Sequence, residues 1–375
     1  MFSYWEQKNF FSYDLIVVGA GFTGLATAIH FQKKHPKASV LVLERGMFPT
    51  GASTKNAGFA CFGSLTEILD DLWSMTQDEV LKLVERRYRG LKSIRREFGD
   101  EALSYRHRGG FELIQSDQIK ALDQLEDMNK LLKSIFKKKV FTTVQDYREY
   151  GFSDHIKAIV HNHYEGELDP GAYLNALWRK ASHLGIKILT GMEVAELNPD
   201  LGEVSVRNNG SSSTSVFQAD RVAICTNAFS KKLVPDLELE PGRGLVMISK
   251  PLGFDTPWKG GFHYDKGYVY FREIDGRLLL GGGRNQDFKG EQTAEFGSNP
   301  TIKTYLEHLA KEVIFPYREF SWDKEWSGIM AFGSKKVPII QPIGKKSAVA
   351  VRLGGMGVAI GWEVGKELSG ILSEL

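Results

Sequence analysis

Cysteine is scarce in this chain: Cys61 and Cys225 are the only two in 375 residues, each in apolar surroundings and far apart in sequence. No C-x-x-C pair or His/Cys cluster accompanies them. The sequence therefore suggests neither a disulfide framework nor a metal site, and buried thiols in a reducing compartment are the expectation. Net charge is also small, a formal +2, so no polyanionic partner is implied. Lys137-Lys138-Lys139 and Lys335-Lys336 lack interleaved aromatics and read as solvated faces or helix ends, which argues against nucleic acid. No apolar run reaches the roughly 20 residues of a membrane span. The opening MFSYWEQKNFFSYDL has neither the basic start nor the continuous apolar stretch of a leader. A cytoplasmic protein without a transmembrane segment is expected. There is no His/Asp constellation of the kind that nucleophilic catalysis requires.

What is present is a nucleotide-binding pattern. Apolar residues at 42% and charged residues at 25% describe an ordinary globular chain, and 375 residues exceed what one core usually holds, so two lobes are expected. Leu15 to Val18 reads as a buried parallel strand, Phe22 to His35 as a helix and Val40 to Leu43 as a second strand. Between strand and helix stand Gly19, Gly21 and Gly24 in G-x-G-x-x-G spacing, with Glu44 twenty positions beyond the last of them. Gly19 allows the tight turn, Gly21 the close approach of a pyrophosphate to free N–H groups, and Gly24 the packing of helix on strand. Glu44 ends the second strand, where it can accept from both ribose hydroxyls and would repel a 2′-phosphate. By itself this unit is compatible with NAD or FAD.

Further along, Gly46 to Gly58 reads as a loop and Thr66 to Phe98 as predominantly helical. An amphipathic helix is expected from Asp117 to Phe136, strands at Val140 to Thr143 and Ala158 to Asn162, and a helix from Pro170 to His183. Ile186 to Ile224 breaks into short strands with a hairpin turn at Asn209-Gly210, and the strand ending in Thr226-Asn227-Ala228 should lie beside the first βαβ unit. Leu245 to Gly283 is strand-rich around a turn at Asp275-Gly276. A strand, a glycine-rich turn and a helix close the chain. The fold class is thus α/β: a discontinuous Rossmann-like domain over 1–80, 155–229 and 325–375, with an α+β substrate domain over 81–154 and 230–324, built on a mostly antiparallel sheet plus helices.

Two segments extend the nucleotide pattern. Gly51-Ala52-Ser53-Thr54-Lys55-Asn56-Ala57-Gly58-Phe59 crowds small and hydrogen-bonding residues just beyond Glu44. Ser53, Thr54 and Asn56 can bond phosphate, ribityl or ring atoms, while Ala57 and Gly58 permit backbone approach. An ordinary polar loop with Asn56 capping a turn is the alternative. Gly354-Gly355-Met356-Gly357 opens the terminal helix, whose free N–H groups and positive end would stabilise negative charge on a reduced flavin. The same glycines would also serve a plain tight turn.

The chain resembles the FAD-dependent oxidoreductases of the D-amino acid oxidase type, which include glycine oxidase, sarcosine oxidase and γ-glutamylputrescine oxidase. The resemblance runs through VVGAGFTGL, LERG, GASTKNAGF, GELDPGAY, ICTNAF, PGRGLV, YVYFREIDGRLLLGGGR, WSG and LGGMGVAIG, nearly the whole chain. It implies FAD as cofactor. It also implies that Phe22, Thr23, Arg45, Ala52, Gly328 and Val358 join the glycines, that Val194 flanks the adenine, and that Thr226, Asn227 and Ala228 approach the cofactor. WSGIMAFG has no cysteine where sarcosine oxidases bond the flavin, so FAD should be noncovalent. Met330 stands about where relatives carry a carboxylate-binding arginine, and Leu279 near a lysine that relatives set over the flavin for oxygen activation.

The remaining polar candidates for a substrate pocket are Tyr268, Tyr270 and Arg272, which share parity on one strand and hence one face, and Lys55. Arg272 could hold an anionic group, or sit in a salt bridge. His263 has no partner pattern and reads as structural. The implied reaction is oxidation of the C–N bond of an amine or N-substituted amino acid, by hydride transfer to flavin N5 and imine hydrolysis, with O2 or a quinone-type acceptor as oxidant. An NAD-dependent dehydrogenase and a noncatalytic flavin-binding protein are the alternatives.

Overall fold

A computed structural model describes residues 2–207 and 214–375, so the expected turn at Asn209-Gly210 lies outside the described residues. Ser12–Val18 is the axis of the first sheet. It pairs in parallel with Val40–Leu43 on one side and with Thr214–Ile224 on the other, Val18 opposite Ile224. Lys187–Leu189 and Ser347–Val351 extend the parallel set outward. Every residue of Val40–Leu43 is buried, as a strand covered on both faces requires.

The helices Phe22–Lys34 and Gly357–Glu374 cover one face of this sheet. They approach closely because glycine stands at the crossing: a Cβ on Gly365 would lie 2.6 Å from the Ala26 Cβ and 2.7 Å from the Thr27 nitrogen. Both helices consequently begin at the same groove. Gly24 has the packing role its spacing suggests, since a Cβ there would meet the Gly19 carbonyl oxygen at 1.8 Å.

The second sheet has eight strands, in the order Trp322–Phe332, Glu240–Ser249, Arg277–Gly282, Val269–Ile274, Gly261–Tyr264, Gly110–Gln115, Ile156–Asn162 and Phe141–Thr143. All its pairings are antiparallel except that of Gly110–Gln115 with Gly261–Tyr264. Asp275 and Gly276 make the expected two-residue turn, both with positive φ. Ile156–Asn162 and Trp322–Phe332 are strands of this sheet, although 155–162 and 325–332 fall within segments expected for the nucleotide domain. Leu91 and Ile94, expected in the substrate domain, join the core of the nucleotide domain.

Several local expectations change. The helical stretch from Thr66 divides into Leu65–Ser74 and Gln77–Phe98, because Thr76 and Glu79 form a reciprocal capping box that starts a second helix. The segment expected as one helix over 117–136 winds as a 3₁₀ helix over Ser116–Gln124, as α-helix only over Leu125–Leu131, and again as 3₁₀ over Leu132–Ser134. None of Ser116–Gln124 is buried, so no packed face selects the α-helical spacing there. Within the loop expected over 46–58, Ala52–Lys55 forms one helical turn.

Candidate functional site

A groove crosses the carboxyl ends of the central parallel strands. It is lined by residues from four regions: the first turn (Gly19, Gly21, Phe22, Thr23), the end of the second strand (Glu44, Arg45), the short helix (Gly51, Ala52, Ser53, Asn56) and the start of the terminal helix (Gly355, Gly357, Val358). Val194, Thr226 and Asn227 line it too. Glu44 is buried, and its two carboxylate oxygens accept from the Ala20 and Gly46 backbone N–H groups at 3.1 and 3.0 Å. These bonds fix the carboxylate at the groove wall. Ser53 Oγ accepts from the Phe22 N–H at 3.0 Å, bringing the short helix to the amino end of the first long one.

Space is kept by the glycines. A Cβ on Gly21 would meet Ser53 Oγ at 2.9 Å, whereas one on Gly51 or Gly354 would meet nothing within 4 Å. Asn56 does what the alternative reading offered: its amide donates to the Ala52 and Ser53 carbonyls and its oxygen accepts from the Gly58 N–H. It shapes the loop while also facing the groove. Thr54 turns away, its hydroxyl donating to the Pro49 carbonyl at 2.9 Å. Ala228 is buried outside the groove. Gly58 supports the loop from behind, where a Cβ would lie 2.1 Å from the Leu168 carbonyl oxygen. Arg45 stacks on Phe229, 3.9 Å from its ring centre; Phe229 and Met192 line the groove without a local sequence signal to mark them.

A second cavity, of about 360 Å³, adjoins the groove. Ala52, Asn56, Met330, Gly355 and Val358 belong to both, so the two spaces meet at these five residues. Lys55, Ala57, Gly328, Gly354 and Met356 face the second cavity rather than the groove. Its floor is the second sheet, where Gly328, Met330 and Phe332 share one face of their strand and Gly244, Val246 and Gly282 line the neighbouring strands.

Tyr268 and Tyr270 line this cavity as their parity suggests, Tyr270 with its hydroxyl pushed up to about 12 by burial. Arg272 does not. It is 3% exposed and lies behind the loop, its Nη1 3.9 Å from Glu167 Oε2, because Gly58 and Leu168 cover the end of the strand. Burial lowers the guanidinium's pKa, with Glu167 opposing that shift. Leu279 is buried beside Ala57 and Val246.

Sequence reasoning missed Arg284 and the partner of His263. Arg284 lines the cavity stacked on Phe332, 4.2 Å from its ring centre, with Phe288 at 5.1 Å on another side. His263 lines the cavity as well and has a partner after all: its Nε2 is 3.3 Å from Glu165 Oε2, while Glu165 Oε1 accepts from the Phe62 and Gly63 N–H groups. Burial pushes the imidazole down, but the Glu165 hydrogen bond and charge outweigh it, so His263 titrates above its ordinary value. Cys61 lies beside this pair, with its sulfur and one ligand atom of each partner within 4.8 Å of one another; burial pushes its thiol well up.

The family model described as FAD dependent oxidoreductase matches residues 14–371. No curated protein matches the chain in sequence. Among solved structures, glycine oxidase from Geobacillus kaustophilus superposes with a TM-score of 0.76 at 17% identity, over 97% of this chain and 95% of that one. L-proline dehydrogenase from P. horikoshii gives 0.76 at 16%, covering 97% and 94%. Iminodiacetate oxidase from Chelativorans sp. BNC1 gives 0.74 at 17%, covering 96% and 95%.

Proposed function

We propose, from the premise that this chain belongs to the FAD-dependent oxidoreductases and uses FAD, that it oxidises the C–N bond of an amine or N-substituted amino acid. The observation that carries this reading is the meeting of the nucleotide groove and the second cavity at Ala52, Asn56, Met330, Gly355 and Val358. FAD, held by the groove residues, would supply a two-electron acceptor. NAD dependence is set aside, since the family is FAD-dependent.

The protein's own contribution is binding and placement. Glu44 is held where it can accept from ribose hydroxyls, and the amino ends of Phe22–Lys34 and Gly357–Glu374 both offer N–H groups to the groove. In the cavity, Gly244, Gly282 and Gly328 leave room over the sheet, and Met330 and Val246 give an apolar floor that favours a neutral amine over an ammonium. Loss of a hydride from the α-carbon and a proton from nitrogen leaves an imine. Water then adds to carbon and releases a carbonyl compound and the remaining amine. The electrons pass on to O2 or a quinone. No obligatory acid or base is needed, as positioning supplies most of the barrier reduction. The names of the structural neighbours, which concern glycine, L-proline and iminodiacetate, support an amine that carries carboxylate.

The test is anaerobic mixing of the FAD-loaded protein with a panel of amines and amino acids. Bleaching of the flavin absorption by a member of the panel supports the reading. Flavin that no amine bleaches, but that light reduces normally, would sink it in favour of a noncatalytic flavoprotein.

A further inference from the structure

The second cavity has more positive charge than its own carboxylates neutralise. Four of its cations are matched: Arg87 lies 3.6 Å from Glu67, Lys266 bonds Asp70 at 2.9 Å, Lys336 bonds Asp71 and Arg352 bonds Glu238. Lys335 stands exposed at the rim. Lys55 and Arg284 differ from all of these. Both are partly buried in the wall, and neither has a carboxylate partner among the described residues. The Nε of Arg284 is fully buried beside Gly242, whereas its Nη groups are not fully buried and have no hydrogen-bond acceptor among the described residues, so they are the donors open to a ligand. Its aromatic supports hold the guanidinium plane in place but do not satisfy its donors.

The two cations stand at opposite ends of one stretch of floor. Lys55 crosses the strand at Gly328, where a Cβ would lie 2.9 Å from the Lys55 Cβ, and Arg284 packs on Phe332. Gly328 and Phe332 are four residues apart on one strand, about 13 Å at the usual rise. Between them on the same face is Met330, at the junction of cavity and groove.

We propose that the substrate carries two acidic groups flanking the oxidised amine, one held by Arg284 and the other by Lys55, with the amine over Met330. This rests on the oxidation proposed above and narrows it to dicarboxylic amines. Arg284 offers a planar fork for a carboxylate, and Lys55 a point charge with a flexible reach that tolerates a spacer of variable length.

The experiment uses FAD-loaded protein and secondary amines of the form HOOC–CH2–NH–(CH2)n–COOH, each beside its two monoamides and N-methylglycine. Anaerobic bleaching is read as a half-saturating concentration. Replacing either acid by an amide should raise that concentration about 10–100-fold, the range for a hydrogen-bonded charge. Arg284→Met and Lys55→Met should each erase the penalty at one end and leave the other intact, while Arg284→Lys and Lys55→Arg restore part of it. Flavin content per protein, read from absorbance, confirms that each variant is folded and loaded. If loaded variants keep the full dicarboxylate preference, or if the unmodified enzyme takes N-methylglycine as readily as the diacids, the proposal is overturned while amine oxidation stands. If no amine bleaches the flavin, binding decides separately. Glutarate should then perturb the flavin spectrum and glutaramate far less, with Arg284→Met abolishing the difference; equal response to both overturns the two-acid site.

Discussion

The sulfur of Met330 lies 3.7 Å from the point where a Cβ on Gly355 would stand, so these two residues meet in the wall that groove and cavity share. Gly355 has φ +80°, a conformation that costs a residue with a Cβ about 1–2 kcal/mol. Gly355→Ala should therefore weaken FAD binding about tenfold, measured by fluorescence titration of apoprotein. Met330→Leu, similar in volume, should leave it near normal. Equal losses in both variants would mean that the wall's shape, not the glycine's backbone, controls the cofactor.

At the other end of the groove, Glu44 is expected to hold the ribose. Glu44→Gln keeps an oxygen for one backbone donor but loses a charged acceptor, a difference of about 1.5–3 kcal/mol when a charged hydrogen bond is lost. FAD affinity should fall about 10–100-fold, with FMN affinity unchanged because FMN lacks that ribose. An equal loss for both would place the effect in folding rather than in recognition.

The terminal helix contains an internal control. Gly365→Ala drives a methyl into Ala26 and Thr27 and should cost about 1–3 kcal/mol. Gly370→Ala on the same helix meets nothing within 4 Å and should stabilise by about 0.5–1 kcal/mol. Thermal melts of the two variants should move in opposite directions.

Stability should depend on pH through three histidines. His30, against Trp362, and His161, stacked on Phe111, are both held near 4 by burial first and by neighbouring positive charge second. Their unfolded forms take up protons first as pH falls, so their contribution is complete above about 6.5 and is lost towards 4. His263 has the opposite sign. Its raised folded value stabilises fully below 6.5 and less as pH climbs through that value. Denaturant midpoints across this range should show His30→Leu flattening the acid limb and His263→Gln the alkaline one. A His263→Gln profile parallel to the parent's would remove the Glu165 pairing from the account.

The nucleotide half was legible because its determinants are local: Gly19, Gly21, Gly24 and Glu44 act through spacing within one βαβ unit. The cavity was less so. Tyr268 and Tyr270 follow from strand parity, but the same parity misplaces Arg272, since parity gives a face and not what covers it. Leu168 and Gly58, distant in sequence, do the covering. Arg284 escaped because the chain leaves its strand through Gly282 and Gly283, both with positive φ, and no periodicity continues through such a turn. The strand expected over Ala158 to Asn162 forms within Ile156–Asn162, yet its sheet depends on pairing with Gly110–Gln115, which alternation does not specify.

The crossing of Phe22–Lys34 with Gly357–Glu374 has a temporal side. One wall of the groove is made within the first sixty residues, but another comes from residues beyond 350. During synthesis from the amino end, the early turn must wait for nearly the whole chain before its partner helix exists. Such distant closure slows folding, and it makes completion of the groove a late event in the life of each molecule.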